Sequence, residues 1–391
     1  MTFNYRCSEC GKNYDISPEL TVCPDCSARQ ADNEPLRGVL EVELHGRVAG
    51  PFDPFALLPV ERDYFPPAPV GGTPLWEPRN LRQQTGCPRL FIKDDGTNPT
   101  SSFKDRASCL VSALANKFGI RDIALASTGN AGSSMAGIGA AAGQNITLFL
   151  PETAPVAKLV QALQYGATVY RVRGNYDLAY EISLEFSRRQ GGMNRNTAYN
   201  PMTIEGKKTV SLELYQQLGQ APDVLFVSVG DGCILAGVYK GFRDLRQLGL
   251  IRSMPHIVGV QAAGSNALCR ALATGKFDAA PAATVADSIC VDVPRNGYHA
   301  LTQIRNFGGE LITVTDDEII RAQARLSAGS GLFTEPAGAA AFAGFLKRLP
   351  RLEKDATTVI LATGNGLKDT MTAQRGIQVP ERLISSVNDI L

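Results

Sequence analysis

Histidine, net charge and long apolar runs are all scarce in this chain. The three histidines, His45, His256 and His299, lie far apart with no nucleophile motif beside them, which points to core or surface roles rather than a histidine-based catalytic group. Lys and Arg number 39 against 38 Asp and Glu, a net charge of +1, so no global field gathers nucleic acid or an anionic membrane. A small-molecule substrate fits that balance better. No run of about eighteen apolar residues occurs, and Met1-Thr-Phe-Asn-Tyr-Arg-Cys7 lacks a charged-then-apolar signal pattern. The expectation is a cytoplasmic protein with neither a membrane nor a nucleic-acid partner. With 44% hydrophobic residues and no internal repeat, 391 residues suffice for two domains and a substantial core.

Cysteine, by contrast, is present and patterned. Of nine cysteines, Cys7 and Cys10 form one Cys-x-x-Cys pair and Cys23 and Cys26 another, the spacing by which two thiolate pairs clasp a tetrahedral zinc ion. We expect a structural zinc ribbon over residues 1–30. Its charged residues, Arg6, Lys12 and Arg29 against Glu9, Asp15, Glu19 and Asp25, lean acidic, which argues for a fold-stabilising appendage and against nucleic-acid binding. Cys87, Cys109, Cys269 and Cys290 read as ordinary small apolar residues. Residues 31–70 are proline-rich, and their aromatics, Phe52, Phe55, Tyr64 and Phe65, suggest an arm packed over the main body.

From residue 89 onward short apolar runs alternate with helical periods. Strands are predicted at 89–92, 122–126, 146–150, 168–172, 223–229, 256–260, 311–314 and 357–361, with helices between most of them, for example 156–165 and 234–248. Such alternation gives parallel sheets with helices on both faces, and ligands then gather at the carboxyl ends of the strands. The acidic run Asp316-Asp-Glu318 reads as a capped helix start.

Three polar, glycine-bearing turns follow predicted strands. Ser127-Thr128-Gly-Asn130 enters a small-residue helix, where hydroxyls and N–H groups suit a carboxylate. Gly230-Asp231-Gly232-Cys233-Ile234 is again strand to helix, a shape that can close on a phosphate but is weak evidence alone. Cys233, at that helix start, is either an activated thiol or a packing residue. The third turn, Ala362-Thr363-Gly-Asn-Gly366, offers a hydroxyl rather than a charge. Beside these stands Asn98-Pro-Thr-Ser-Ser-Phe-Lys-Asp-Arg106, which puts Lys104 in the first turn of an amphipathic helix. On that stretch alone Lys104 is either a nucleophile toward an aldehyde or a solvated lysine. A reactive amine, a phosphate cup, a carboxylate loop and an uncharged hydroxyl together describe a pyridoxal 5'-phosphate site for an amino acid.

The motifs Asn98–Arg106, Ser127–Asn130, Asn200-Pro-x-x-Ile-Glu-Gly-Lys-Lys-Thr209 and Ala362–Asp369 occur in order over roughly residues 70–370. This set resembles fold type II pyridoxal-phosphate enzymes and, most closely, the threonine synthases, many of which also begin with a cysteine ribbon. The resemblance implies an α/β fold with two doubly wound parallel-sheet domains in a catalytic unit over 71–391, the smaller domain at roughly 105–200, and a homodimer. It implies Lys104 as the Schiff-base lysine and general base and Asn130 as partner of the cofactor's phenolic oxygen. Gly230, Asp231, Gly232, Cys233 and Ile234 would hold the phosphate, Thr363 would face the pyridine nitrogen, and Ser127, Thr128 and Asn130 would hold the substrate. A hydroxyl at Thr363 makes the ring a weaker electron sink, which suits elimination and replacement. The chain departs from the family at Thr203, where these enzymes carry a phosphate-gripping arginine, and at Asp231 and Ile234, where asparagines are usual. Lys207, Lys208 or Arg106 is expected to take over the lost charge. The implied reaction converts O-phosphohomoserine and water to threonine and phosphate. The alternative that Thr203 favours is β-elimination or β-replacement on a serine-, threonine- or O-phosphoserine-like amino acid.

Overall fold

The computed structural model describes residues 1–48, 50–127, 129–152, 154 and 159–390, with the side chain of Asn388 left aside. Three sheets carry the chain. The first is antiparallel, β2-β1-β3, from β1 (Thr2–Cys7), β2 (Asn13–Tyr14) and β3 (Leu40–His45). The second has six strands in the order β12-β11-β10-β13-β5-β4, built from β4 (Leu75–Trp76), β5 (Leu90–Asp94), β10 (Val224–Ser228), β11 (His256–Ala262), β12 (Glu310–Val314) and β13 (Thr358–Ala362). The third, order β8-β7-β6-β9, comprises β6 (Asp122–Ala126), β7 (Asn145–Pro151), β8 (Thr168–Val172) and β9 (Met193–Asn194).

All pairings in the two larger sheets are parallel except the β4–β5 edge. Their central strands are apolar runs buried on both faces, Val359-Ile-Leu-Ala362 being an example, because helices cover each side. The eight strands predicted between 89 and 361 all appear. The helix predicted over 234–248 spans Cys233–Gln247, and that over 156–165 is seen as Val160–Gln164, residues 155–158 lying outside the described set. Thr315 and Glu318 form a capping box at the start of the helix Asp316–Ser330.

The N-terminal sheet takes its third strand, β3, from the segment read in sequence as a connecting arm. Leu40-Glu-Val-Glu-Leu-His alternates apolar and polar residues, a strand period set among prolines and turns, and pairing with β1 along the whole of Thr2–Cys7 decides it. Farther along, the arm's aromatics pack as expected, Phe55 edge-on to Phe65 at 5.2 Å and Phe52 edge-on to Tyr215 at 5.1 Å. β3 also fixes the ribbon to the body. Buried Glu41 accepts from Arg243 Nη1 at 2.8 and 3.0 Å and meets His299 Nε2 at 2.7 Å. Burial alone would raise the Glu41 carboxyl, but the Arg243 guanidinium and His299 outweigh it and hold it well below the usual range. His299 therefore has a structural role. Removing this carboxylate would leave the half-buried Arg243 guanidinium with only the neutral Gln303 amide to bond, so Glu41→Ala is expected to cost about 3 kcal/mol in urea unfolding. A change within about 0.5 kcal/mol would show instead that apolar packing alone holds the ribbon.

Candidate functional site at the strand ends

Lys104 is the first residue of the helix Lys104–Lys117, and the segment before it is pinned from two sides. The Phe103 N–H donates to the Thr363 carbonyl at 2.8 Å, and the Asn365 N–H to Ser101 O at 3.0 Å, zipping the lysine loop to the turn after β13. Asp105 accepts from the Thr100 N–H at 2.7 Å and from its hydroxyl at 2.5 Å, closing the loop on itself. Lys104 is half-buried, and its amine donates no hydrogen bond among the described residues. An anchored backbone thus carries an uncommitted amine.

Arg106 supplies the anchor. Its guanidinium, with no exposed side-chain surface, donates from Nε to Asp95 Oδ2 at 2.6 Å and from Nη2 to Asp95 Oδ1 at 2.9 Å. It also reaches Glu213 at 2.5 and 2.9 Å, Thr209 Oγ1 at 2.9 Å and Thr73 Oγ1 at 3.1 Å. Lys93 of β5 completes the cluster, donating to Glu213 at 2.7 Å and to the Thr73 carbonyl at 2.7 Å. Burial alone would raise the Glu213 carboxyl, but the Arg106 and Lys93 charges bring it down to about 2.

The second wall is the turn after β10. Gly232 lies in the left-handed region (φ +89°) and a Cβ there would stand 2.8 Å from Ala300 Cβ, so the turn into the helix Cys233–Gln247 requires glycine. The Asp231 carboxylate accepts from the Cys233 N–H at 2.8 Å, while the next N–H groups of the first turn have no intrahelical acceptor. Burial would raise Asp231, yet Lys207 and Lys104 outweigh it and lower it. Cys233 is a packing residue: it is fully buried, and burial with the nearby Asp231 charge pushes its thiol up to about 11.

The third wall comes from the smaller parallel sheet. Ser127 Oγ accepts from the Gly132 N–H at 3.0 Å and the Gly129 N–H at 3.3 Å, capping the helix Asn130–Ala142. Thr128 lies outside the described residues. Asn130 Nδ2 donates to Glu335 at 2.9 and 3.0 Å and to Ser288 Oγ at 3.1 Å. Burial raises the Glu335 carboxyl, partly offset by Asn130, Lys368 and Lys104. Lys104 thus acts electrostatically on Asp231 in one wall and on Glu335 in another.

Four residues not singled out in sequence belong here. Glu335 immediately precedes the small-residue helix Pro336–Arg348, and no local pattern in the sequence marks it. Lys368 bridges the walls, donating to Thr100 O at 3.0 Å, Gln161 Oε1 at 2.6 Å and Ser133 Oγ at 3.3 Å. Ser288 and Arg195 sit in segments without periodicity, and no local pattern marks them.

Among the expected replacements for the missing arginine, the structure removes two. Arg106 is saturated. Lys208 is committed to Leu57 O at 2.7 Å, Asp244 Oδ2 at 2.8 Å and Glu205. Thr203 itself turns inward, its hydroxyl donating to Asn200 O at 2.7 Å and accepting from the Ala198 N–H at 3.2 Å. Lys207 alone remains without a hydrogen-bond partner among the described residues. Burial, with like charge from Lys104 and Arg195, brings its ammonium down to about 8 against the pull of Asp231.

The Glu213 carboxyl sits below its ordinary value of 4.5, so its contribution is present above that pH and is lost as pH falls through about 2. Glu213→Gln is expected to cost about 3 kcal/mol near neutrality, and the gap to the unaltered protein should narrow between pH 4.5 and 2 in urea denaturation. A gap that stays constant down to acid pH would mean the carboxylate is not held by Arg106.

Comparison with known proteins agrees with this arrangement. Residues 67–364 match the family model described as pyridoxal-phosphate dependent enzyme. A threonine synthase of Methanocaldococcus jannaschii is 34% identical over 395 residues, covering 98% of this chain and 97% of that one. One from Methanosarcina acetivorans is also 34% identical, over 95% and 93% of the two chains. Among solved structures, the processed form of threonine deaminase isoform 2 from Solanum lycopersicum superposes with a TM-score of 0.68 at 23% identity, covering 79% of this chain and 89% of that one, a likeness of fold. By the family match and by near-full-length similarity to proteins named threonine synthase, the chain belongs to the pyridoxal-phosphate-dependent enzyme family and, within it, to the threonine synthases.

Proposed function

We infer that this protein is a pyridoxal-phosphate-dependent threonine synthase, converting O-phosphohomoserine and water to threonine and phosphate. The observation that carries the reading is Lys104: an amine with no hydrogen-bond partner among the described residues, on a fully anchored loop, in a chain matched over nearly its whole length by relatives of that name. The residues fit the cofactor. Gly232 keeps the turn after β10 open where a Cβ would collide, and the N–H groups of the helix's first turn there have no intrahelical acceptor. Gly230 to Ile234 would hold the cofactor's phosphate, Thr363 its ring nitrogen, and Asn130 its phenolic oxygen. Ser127 and Thr128 would hold the substrate.

When bound, pyridoxal phosphate supplies an aldehyde for the substrate amine and a ring that accepts electron density from Cα. The protein's part is proton movement and positioning. Lys104 Nζ takes the Cα proton, and the amine on its short tether can carry protons to and from the neighbouring carbons as the γ-phosphate leaves and water adds at Cβ. Thr363, held beside Lys104 through its own carbonyl, presents a hydroxyl and no charge to the ring. The Glu335–Asn130 bond fixes the amide that faces the cofactor. The reading extends to a cytoplasmic homodimer with a small-molecule amino-acid substrate.

The ribbon is proposed to bind one structural zinc ion. Four Sγ atoms, of Cys7, Cys10, Cys23 and Cys26, lie within 4.8 Å of one another, with Cys7–Cys26 at 3.8 Å and Cys10–Cys23 at 3.7 Å. A tetrahedron with Zn–S distances of about 2.3 Å has edges of about 3.8 Å. The Arg29 guanidinium and the Glu9 N–H, each 3.4 Å from a sulfur, would offset thiolate charge. Elemental analysis should find one zinc per chain, lost in Cys23→Ser; metal-free protein of unchanged thermal stability would exclude the assignment.

Phosphate release and threonine formation from O-phosphohomoserine, measured on cofactor-loaded protein, test the activity. Lys104→Ala should reduce both by at least about a thousandfold. A loaded protein inactive on this substrate but active on serine, threonine or O-phosphoserine would replace the reading with β-elimination or β-replacement.

A further inference from the structure

Arg195 and Lys207 are both 1% exposed, among the largest fully buried side chains of the molecule. Arg195 follows β9, its N–H bonded to Ala124 O of β6 at 2.9 Å, so the smaller sheet carries it. Its guanidinium makes one long bond, Nε to Ser108 Oγ at 3.4 Å, and Nη2 is buried with no partner. Lys207 comes from a different element. It ends the short helix Met202–Lys207, packed so closely on the helix Cys233–Gln247 that a Cβ on Gly237 would stand 2.5 Å from Lys207 Cβ. Its amine donates no hydrogen bond among the described residues.

These cations stand in a charge excess. Lys104, Lys207 and Arg195 share Asp231; Glu335, which also acts on Lys104, accepts from Asn130, and Asp105, the other acid near Arg195, is already taken up by Thr100. Unpaired buried charge is costly unless an anion of opposite sign arrives. The cofactor's phosphate has its own donors in the turn Gly230–Ile234. Position 203 points to what the remaining charge serves. Lys207 is one helical turn beyond Thr203, on the same face of the same helix, and Arg195 begins the segment that leads into it. The two cations therefore flank the place left neutral by Thr203.

We propose that Arg195 and Lys207 form the subsite for the substrate's side-chain oxyanion, taking over from position 203. In the reaction proposed above that oxyanion is the γ-phosphate, and the inference rests on that reading for its identity. Arg195 would offer planar paired donors and Lys207 a point charge, so that a doubly charged group is gripped by two separate segments of chain.

The test uses the full-length, cofactor-loaded protein and two probes, 2-amino-5-phosphonopentanoate and norvaline, which share a carbon chain and differ in the phosphonate. Binding is read from the cofactor's absorbance, and cofactor content is measured for each variant. In Arg195→Gln and Lys207→Gln, phosphonate affinity should fall roughly tenfold or more, norvaline affinity should hold, and cofactor content should stay at that of the unaltered protein. Arg195→Lys and Lys207→Arg, which keep the charge, should restore part of the phosphonate affinity and cover any folding defect of the neutral variants. Loss of cofactor with phosphonate affinity intact in the loaded fraction would assign the cations to the cofactor's phosphate and overturn the proposal. Equal weakening of both probes would overturn it as well. Phosphonate preference that depends on both cations, in a protein making no threonine from O-phosphohomoserine, would uphold the subsite while the activity reading falls.

Discussion

The buried guanidinium of Arg106 is the interaction on which the site depends. It ties three pieces of chain that are distant in sequence: the turn after β5 through Asp95, the helix Thr209–Leu218 through Glu213, and its own helix, whose first residue is Lys104. Two carboxylates and one further ammonium, Lys93, satisfy one another in a space with almost no water. Such a cluster contributes little net stability relative to an apolar core of equal shape, but it tolerates the loss of no member. What it contributes is geometry. With Arg106 fixed, Lys104 is held two residues away on a rigid helix start, and the bond from Phe103 to Thr363 sets the distance between that amine and the turn after β13.

The rest of the site follows from topology. β5, β10 and β13 belong to one parallel sheet and β6 to the other, and the turns that carry Lys104, Gly230 to Ile234, Thr363 and Asn130 all leave carboxyl ends. Each sheet alone could form only part of a chamber. Polar contacts cross between them at the site: Asn130 to Glu335 and Ser288, Lys368 to Ser133 and Gln161. Such bonds can exchange for bonds to a ligand at small cost.

How far the sequence disclosed this depends on whether the signal was local. The parallel strands were legible because strands buried on both faces must be apolar throughout, as in Val224–Ser228 and Thr358–Ala362. Lys104 and the glycine turns were legible because tight backbone turns next to strand ends constrain residue type at short range. β3 was passed over although its own sequence, Leu-Glu-Val-Glu-Leu-His, alternates apolar and polar residues: the signal lies among prolines and turns, and its partner β1 is more than thirty residues away. Glu335 and Arg195 were missed for a related reason. Neither is part of a motif; each acquires meaning only when another segment is folded against it. The same limit explains why Arg106, Lys207 and Lys208 looked interchangeable as replacement cations. Sequence shows that a charge exists, and burial with partners decides whether it is spent.

That division between spent and unspent charge separates scaffold from chemistry in this molecule. Lys208, Lys240, Glu205 and Asp244 form a closed group beneath the helix Thr209–Leu218, as Arg106, Lys93, Asp95 and Glu213 do beneath the lysine loop. Lys104, Lys207 and Arg195 form the opposite case, cations that share Asp231 and make no hydrogen bond to a carboxylate among the described residues. A protein selected only for stability would pair them or replace them by apolar residues. Their free energy cost is met by the surrounding apolar core, and it is recovered when anions enter.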